Sequence, residues 1–185
     1  KKKERPFKEG SKINPRNPYS ISKAAADNLV NYFYKSFDLD CIITRCSNNY
    51  GERQHPEKLI PLTIMNCITK NKIPIYGNGK NIRDWIYVKD HCRVINQALK
   101  KGGSGETYLI GNSNEIKNID LVNAIIKIFN RKNKKFNYYN LIEYVEDRKS
   151  HDKRYAVDSS KAIRDLGLKL NTNFESRLNL TVNHY

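Results

Sequence analysis

Short apolar runs alternate with segments of helical periodicity along most of the chain, and this alternation limits the folds that it can adopt. Residues 41–44 form a short, mainly apolar run, as in a strand buried in a parallel sheet, and residues 107–110 indicate another strand. Residues 19–36 and 119–129 instead repeat apolar side chains at helical spacing. Because alternating strands and helices are typical of layered α/β proteins, we predict an α/β fold.

The same periodicities give the expected element boundaries. Helices are predicted over residues 19–36, 59–69, 88–99, 119–129, 159–166 and 174–184. Strands are predicted over residues 41–44, 73–76, 82–87, 107–110 and 142–145. Polar loops are expected over residues 1–17 and 47–58, and glycine-containing turns at 77–79 and 111–112.

The charge balance raises the question of a nucleic-acid partner. The chain has 34 Lys and Arg against 19 Asp and Glu, a formal net charge of +15. The basic residues are scattered, however, except in Lys1-Lys2-Lys3 and over 131–135, and few aromatic residues accompany those clusters for base stacking. We therefore predict no nucleic-acid partner, and a basic surface that favours a diphosphate ligand.

The cysteines and histidines do not point to a metal. The chain has four of each, without a Cys-x-x-Cys pair and without the spacing of zinc ligands. No signal peptide is visible, and no apolar run approaches the ~18 residues that a membrane span needs. We predict a cytoplasmic protein without a metal and without a membrane association.

A tyrosine and a lysine four residues apart open the first predicted helix. Tyr19 and Lys23 should share a helix face, since side chains at i and i+4 are neighbours. An ammonium group near a phenol favours the phenolate, which can accept a sugar hydroxyl proton while hydride leaves the same carbon. Spacing alone is a weak signal, because Tyr76 and Lys80 share it across the turn at 77–79.

Several ordered motifs strengthen the interpretation of this pair. They are Pro18-Tyr19-Ser20-Ile21-Ser22-Lys23-Ala24, Arg45-Cys46-Ser47-Asn48-Asn49-Tyr50-Gly51, Pro56-Glu57-Lys58-Leu59-Ile60-Pro61, Pro74-Ile75-Tyr76-Gly77, Arg83-Asp84-Trp85-Ile86-Tyr87-Val88 and His151-Asp152-Lys153-Arg154-Tyr155-Ala156. In this order they resemble the nucleotide-sugar 4,6-dehydratases of the dTDP-glucose type, within the extended short-chain dehydrogenase/reductase family. The resemblance covers Arg5 to nearly the last residue.

The resemblance implies a fold and a division into domains. It implies the carboxy-terminal part of a Rossmann-type α/β domain together with a small α/β substrate-binding domain. Residues 1–50 would belong to the NAD-binding domain and carry the catalytic helix. Residues 51–185 would form mainly the nucleotide-sugar region, with some segments returning to the Rossmann sheet. A homodimer packed through the helix of Tyr19 is also implied.

The resemblance also assigns roles to individual residues. Tyr19 and Lys23 would be catalytic and, with Asn49, would contact NAD. The residues implied to bind the nucleotide sugar, dTDP-glucose or UDP-glucose, are Asn48, Lys58, Leu59, Pro74, Ile75, Tyr76, Arg83, Asn118, Arg148 and His151. Their chemistry fits, because amides bond without titrating, a guanidinium grips a diphosphate, and an apolar segment with one aromatic ring suits a base.

Simpler interpretations exist for several of these residues. Arg83 and Asp84 could form a surface ion pair of little energy. Asn118 could cap the helix that begins at residue 119, and His151 could be a capping or core histidine. Trp85 is expected to pack in the core. The chain also departs from the family, which often has Pro where Glu52-Arg53 stands and Pro-Gly where Lys149-Ser150 stands.

Two parts of such an enzyme are not found in the sequence. There is no glycine-rich pyrophosphate turn, and no Thr-Asp-Glu triplet, which supplies the acid and base of the elimination step in the family. We therefore expect this polypeptide alone not to turn over substrate. The alternatives are another nucleotide-sugar short-chain enzyme, such as an epimerase or a decarboxylase, and a non-catalytic nucleotide-sugar-binding remnant. The sequence leaves thymine or uracil open.

Overall fold

The computed structural model describes residues 5–147, 152–170 and 173–185. Its helices are α1 Pro18–Phe37, α2 Leu59–Thr69, α3 Val88–Lys101, α4 Asn118–Lys132, α5 Ser160–Leu166 and α6 Phe174–His184, with a 3-10 helix over Tyr138–Leu141. Its strands are β1 Ile43–Cys46, β2 Asn48–Tyr50, β3 Ile73–Tyr76, β4 Ile82–Tyr87, β5 Thr107–Ile110, β6 Glu115–Lys117, β7 Ile142–Val145 and β8 Arg154–Tyr155.

Most of the predicted elements are present, and the differences have physical causes. The strand predicted over 41–44 begins two residues later, because its partner β5 begins opposite Ile43 at Thr107. Strand β2 lies inside the loop predicted over 47–58, and β6 and β8 were also missed. These three strands have no apolar run of their own, and they are strands because they pair with β4.

The described strands form three hydrogen-bonded groups. β1 pairs with β5, β3 with β7, and β4 with both β2 and β8, all in parallel, whereas β6 runs antiparallel to β4. Parallel neighbours need long crossover connections, and every parallel pair here is joined through at least one helix. The topology is therefore that of an α/β protein.

Two of the three apolar clusters of the core are built around α4, and the third joins α3 and α5 to β4 and β5. The buried residues of α4 are Leu121, Val122, Ile125, Ile126 and Ile128. Some of them pack against β2 and β4, and the rest pack against β3 and the 3-10 helix. Burying one large aliphatic side chain stabilises a fold by ~1.5–3 kcal/mol, so this region is firmly held.

Helix α1 is well defined locally but packs lightly. Asn17 caps it through a bond from the Ser20 amide, and Pro18 stands in its first turn, where the missing N–H costs nothing. It ends at Phe37, and the next residue, Asp38, has a left-handed backbone conformation. None of its residues is buried. Within the described part of the chain, no helix combines the length and apolar character that a membrane crossing would require.

Candidate active site

Tyr19 and Lys23 lie on the exposed side of α1, next to the half-buried Ser20 and Ala24. Asp27 follows Lys23 by one helical turn, and its Oδ2 lies 2.6 Å from Nε of Arg45 in β1. Since residues four apart are neighbours on a helix surface, Tyr19 and Lys23 are neighbours, and Lys23 precedes Asp27 by one turn. Tyr19 is 74 % exposed, so its phenol is open to a ligand on this side of the helix.

Strand β2 brings Asn48 close to Arg83 of the neighbouring strand. Asn48 lies opposite Trp85 in the parallel pair, and Arg83 precedes Trp85 by two residues on the same face of β4. At ~3.3 Å per residue along a strand and ~4.8 Å between strands, the two Cα atoms are about 8 Å apart. One extended ligand can therefore reach both side chains.

The next residue of β2, Asn49, is held by its own protein. Its Oδ1 lies 2.8 Å from Nδ1 of His91. Its Nδ2 lies 3.2 Å from Sγ of Cys46 and 3.4 Å from the carbonyl oxygen of Ser47. Its backbone carbonyl accepts a bond from Nε2 of Gln54 at 2.8 Å. Both ends of the Asn49 side chain therefore already have hydrogen-bond partners within the protein. The NAD contact implied for Asn49 stays a prediction.

Arg83 is half-buried and faces two carboxylates. Its Nη1 donates to the carbonyl of Ile82 at 2.7 Å. Burial lowers the pKa of Arg83, and the charges of Asp152 and Asp147 act in the opposite direction. A guanidinium remains charged in a protein under such conditions, so Arg83 presents a positive charge that the fold has oriented.

The adjacent Asp84 is buried and does not form the surface ion pair with Arg83 that was considered for these two residues. Asp84 is 0 % exposed. Its two oxygens accept bonds from the backbone amides of Asn112 and Asn114, at 3.2 and 2.8 Å. Burial raises the pKa of Asp84, and these amide bonds lower it. Asp84 therefore fixes the turn after β5, while Arg83 stays available.

Asn118 lies at the start of α4 with an unused acceptor. The residue that precedes α4 as its cap is Lys117, so the capping role considered for Asn118 is wrong. Its Oδ1 is buried and has no hydrogen-bond partner among the described residues. Its backbone amide donates to Asn81, which bonds in turn to the carbonyl of Asp152. Through Asn81, the start of α4 is thus linked to the backbone of Asp152, one of the two acidic residues whose charge acts on Arg83.

Strand β3 separates its three candidate residues by face. Ile75 is 1 % exposed and packs in the core with α4, so the contact with a base predicted for Ile75 would have to come from its backbone. Pro74 and Tyr76 alternate with it and are half-buried. After Tyr76 the chain turns at Gly77, where a Cβ would lie 3.0 Å from Oδ2 of Asp147. The end of β3 therefore meets the surroundings of Arg83.

The remaining candidates lie at the edges of this region. Lys58 precedes α2 and is exposed, with its Nζ 2.9 Å from Glu57. Leu59 is half-buried and packs against two core clusters at once. Arg148 and His151 lie outside the described residues.

Two contacts that support the site were not predicted from the sequence. The position of Asp27, one turn after Lys23, was a usable signal because residues four apart are neighbours on a helix surface. The partner of Asn49, His91, carried no signal, since 42 residues separate the two. In the described part of the chain, no group of three or more His, Cys, Asp or Glu could hold a metal ion.

A Rossmann-like α/β fold whose helix presents a Tyr-x-x-x-Lys pair defines a protein of the extended short-chain dehydrogenase/reductase class. The sequence matches the family described as GDP-mannose 4,6 dehydratase over residues 1–181. It is 46 % identical over 184 residues to a dTDP-glucose 4,6-dehydratase of Escherichia coli, covering 97 % of this chain and 51 % of the relative. The chain belongs to this dehydratase family.

Solved structures agree with this assignment. The dTDP-glucose 4,6-dehydratase of Bacillus anthracis, solved with NAD, has a TM-score of 0.89 and 43 % identity, covering 99 % of this chain and 56 % of that chain. The enzyme of Streptomyces venezuelae, also with NAD, has a TM-score of 0.90 and 38 % identity, with 99 % and 55 % covered. The chain spans about half the length of the curated relatives it matches.

Proposed function

We propose that this chain supplies the sugar-oxidising tyrosine and the nucleotide-sugar site of an NAD-dependent 4,6-dehydratase that converts dTDP-glucose to dTDP-4-keto-6-deoxyglucose. The observation that carries the proposal is the placement of Tyr19 and Lys23 one turn apart on the exposed side of α1. Asp27, one turn after Lys23, contacts Arg45 of β1, the strand that leads into Asn48. The dehydratases of known structure noted above, solved with NAD, also support it.

Tyr19 would act on the hydroxyl at C4 of the hexose. As the phenolate, its exposed oxygen could accept that proton as the carbon is oxidised, and the Lys23 ammonium lies one turn later on α1. A phenol and an ammonium on one face also suit the hydroxyls of a nicotinamide ribose, so the donor set fits NAD. When bound, NAD supplies the capacity to take up and return a hydride.

The nucleotide sugar would lie across β2, β4 and the start of α4. Arg83 would bond the diphosphate, because a guanidinium can donate two parallel bonds to phosphate oxygens. Asn118 would give its unused acceptor to a sugar or base group, which removes the cost of leaving it unpaired. Tyr76 and Pro74 would flank the base. Asn48, Lys58 and Leu59 are proposed as further contacts, as are Arg148 and His151.

Other features of the protein follow from the same proposal. Residues 1–50 would belong to the cofactor domain and 51–185 mainly to the substrate region, a division supported by the return of β5 to pair with β1. The acid and base of the elimination step, implied to be a Thr-Asp-Glu triplet, do not occur among the 185 residues. We propose a cytoplasmic homodimer that contacts its partner through α1.

The test is an activity assay of the natural full-length protein with dTDP-glucose and NAD. Loss of one water from the sugar nucleotide and a 4-keto group in the product would support the proposal. Formation of the C4 epimer would instead assign the chain to an epimerase. Binding of dTDP-glucose without any turnover would favour a non-catalytic remnant.

A further inference from the structure

His91 joins the first turn of α3 to strand β2. It is half-buried, and its Nδ1 lies 2.8 Å from Oδ1 of Asn49, 42 residues earlier in the chain. Its other ring nitrogen, Nε2, is buried and has no hydrogen-bond partner within the described ranges. The ring therefore makes one polar contact in this region, and that contact is with the candidate site.

The contacts of Asn49 determine which form of the ring is present. The carbonyl of Ser47 can only accept, so the Asn49 atom 3.4 Å from it must be the donor Nδ2. Oδ1 then faces His91, and Nδ1 of the ring must carry the proton. A protonated Nε2 would be a buried donor without an acceptor in the described ranges, and burial also lowers the pKa of His91, so both favour the neutral ring. Nε2 therefore holds a lone pair without a donor.

This arrangement restrains the amide of Asn49 from three directions. His91 holds Oδ1 from α3, Cys46 and Ser47 hold Nδ2 from the end of β1, and Gln54 holds the backbone carbonyl. Each neutral hydrogen bond contributes ~0.5–1.5 kcal/mol net. The bond from His91 spans the longest stretch of chain, so it is the one that couples β2 to the helix following β4.

We propose that His91 is a positioning residue, which as the neutral Nδ1–H form fixes the side chain of Asn49 and so sets the strand that carries Asn48 to the substrate. Its catalytic consequence rests on the proposed function. Its structural part, the held amide of Asn49, does not. The unpaired Nε2 supports a specific role, because a buried acceptor without a donor costs ~1–3 kcal/mol and is rarely retained without compensation.

Two variants of the natural full-length product separate positioning from packing. His91→Leu removes the donor and fills a similar volume with an apolar side chain. His91→Asn replaces the Nδ1–H with an amide N–H at a similar position. We expect His91→Leu to lower kcat about tenfold, the size of one lost hydrogen bond, with little change in KM. His91→Asn should recover most of that loss. Cys92→Ser, at the exposed neighbouring position, serves as the control.

Nitrogen-15 NMR of the same proteins supplies a readout that does not need activity. In the wild type, His91 should show a protonated Nδ1 and an unprotonated Nε2, with the exposed His184 as the solvent reference. The two side-chain NH₂ protons of Asn49 are distinct in any asparagine, so the readout is their chemical shifts, which should agree between the wild type and His91→Asn. In His91→Leu both signals should shift towards the values of an exposed asparagine.

The outcomes distinguish the two proposals. A wild type without dehydratase activity but with the expected NMR signals would overturn the proposed function and leave the held amide supported. An active enzyme in which His91→Leu retains full kcat would overturn the positioning role. So would equal losses in both variants, an Nε2-protonated ring, or Asn49 signals that do not respond to His91→Leu.

Discussion

Helices α1 and α4 both carry residues of the proposed site, but the molecule holds them in opposite ways. α4 buries five residues against two clusters of the core. α1 is longer, with 20 residues, yet none of them is buried, and an ion pair between Asp27 and Arg45 ties it to β1. The half that would bind the nucleotide is thus built into the core, whereas the half that would oxidise the sugar is attached by a few polar contacts.

The comparison teaches that binding and chemistry should respond differently to mutation. Substitutions near α4 should alter stability and substrate affinity together, because the residues proposed to bind the nucleotide sugar adjoin the apolar side chains of the core. Substitutions of Tyr19 and Lys23 on α1 should alter rate with little change in stability, because those side chains are exposed. Five predictions test this difference.

The largest effect is expected on α1. Tyr19→Phe should lower kcat by roughly 10²–10⁴, the usual contribution of a general base, because the ring stays but the hydroxyl is lost. Stability should not change, since the ring is 74 % exposed. Steady-state kinetics and urea unfolding of the full-length product measure both quantities. Tyr32→Phe, on the opposite side of α1, is the control and should retain kcat. An unchanged kcat in Tyr19→Phe would contradict the assignment.

A matched pair of isoleucines compares the packing of the two helices. Ile125→Ala in α4 should lower the free energy of unfolding by about 2–5 kcal/mol, because it leaves a cavity in a fully buried position. Ile21→Ala in α1 should change it by less than about 0.5 kcal/mol, since Ile21 is 53 % exposed. Urea titration of the 185-residue chain provides both values. Equal losses would mean that α1 is packed as firmly as α4.

Arg83→Met should act mainly on binding. Removing a charged donor from a diphosphate should cost about 1.5–3 kcal/mol, which appears as a KM for dTDP-glucose raised roughly 10- to 150-fold with a smaller change in kcat. Arg164→Met removes an exposed arginine on α5 and should leave KM unchanged. If Arg83→Met instead lowers kcat at constant KM, the guanidinium does not bind the ground-state substrate.

The ion pair between Asp27 of α1 and Arg45 of β1 can be removed directly. Asp27→Leu leaves Arg45 half-buried without its partner, and we expect a loss of about 1–2 kcal/mol in stability together with a lower kcat. The double variant Asp27→Leu/Arg45→Met should regain much of the stability but not the rate. Breaking the exposed pair of Lys8 and Asp158 by Lys8→Met should cost at most a few tenths of a kcal/mol. Recovery of both properties in the double variant would show that the ion pair does not position α1.

The smallest effect concerns acid stability on the substrate side. The hydrogen bond from Lys89 is the main cause that lowers the pKa of Glu52 to about 2. A carboxyl group whose pKa is lower in the folded state stabilises the fold above its unfolded pKa of about 4.3 and loses this contribution as pH falls towards 2. Because the pair is partly exposed, the contribution should be below about 1 kcal/mol. Glu52→Gln should remove this part of the pH dependence of unfolding; an identical profile would contradict it.

Local patterns were sufficient for much of the fold. The bounds of α2, β3 and β4 match the predicted ones, because each has a strong period and a clear break at its end. Strands β2, β6 and β8 could not be found in this way. Their pairing with β4 is decided by partners far along the chain, and their own sequences are polar and short.

The sequence predicts the parts of the site that depend on residues close together along the chain. Tyr19 and Lys23 are neighbours by helix geometry alone, and Trp85 packs in the core as expected. The surface ion pair considered as the simpler alternative for Arg83 and Asp84 does not form, because alternation along β4 sends adjacent side chains to opposite faces and buries the carboxylate. The same alternation, visible in the sequence, would have assigned Ile75 to the core. The bond between His91 and Asn49 is a tertiary contact that no local pattern contains.

The most direct test is a crystal structure of the natural full-length product with NAD and dTDP-glucose, using Tyr19→Phe to slow turnover. We expect the ring of residue 19 to point at C4 of the hexose, with its para carbon close enough that a hydroxyl there would lie about 2.6–3.2 Å from the C4 oxygen. The guanidinium of Arg83 should contact the diphosphate of the same molecule. A hexose that lies away from α1 while Arg83 holds the diphosphate would contradict the account.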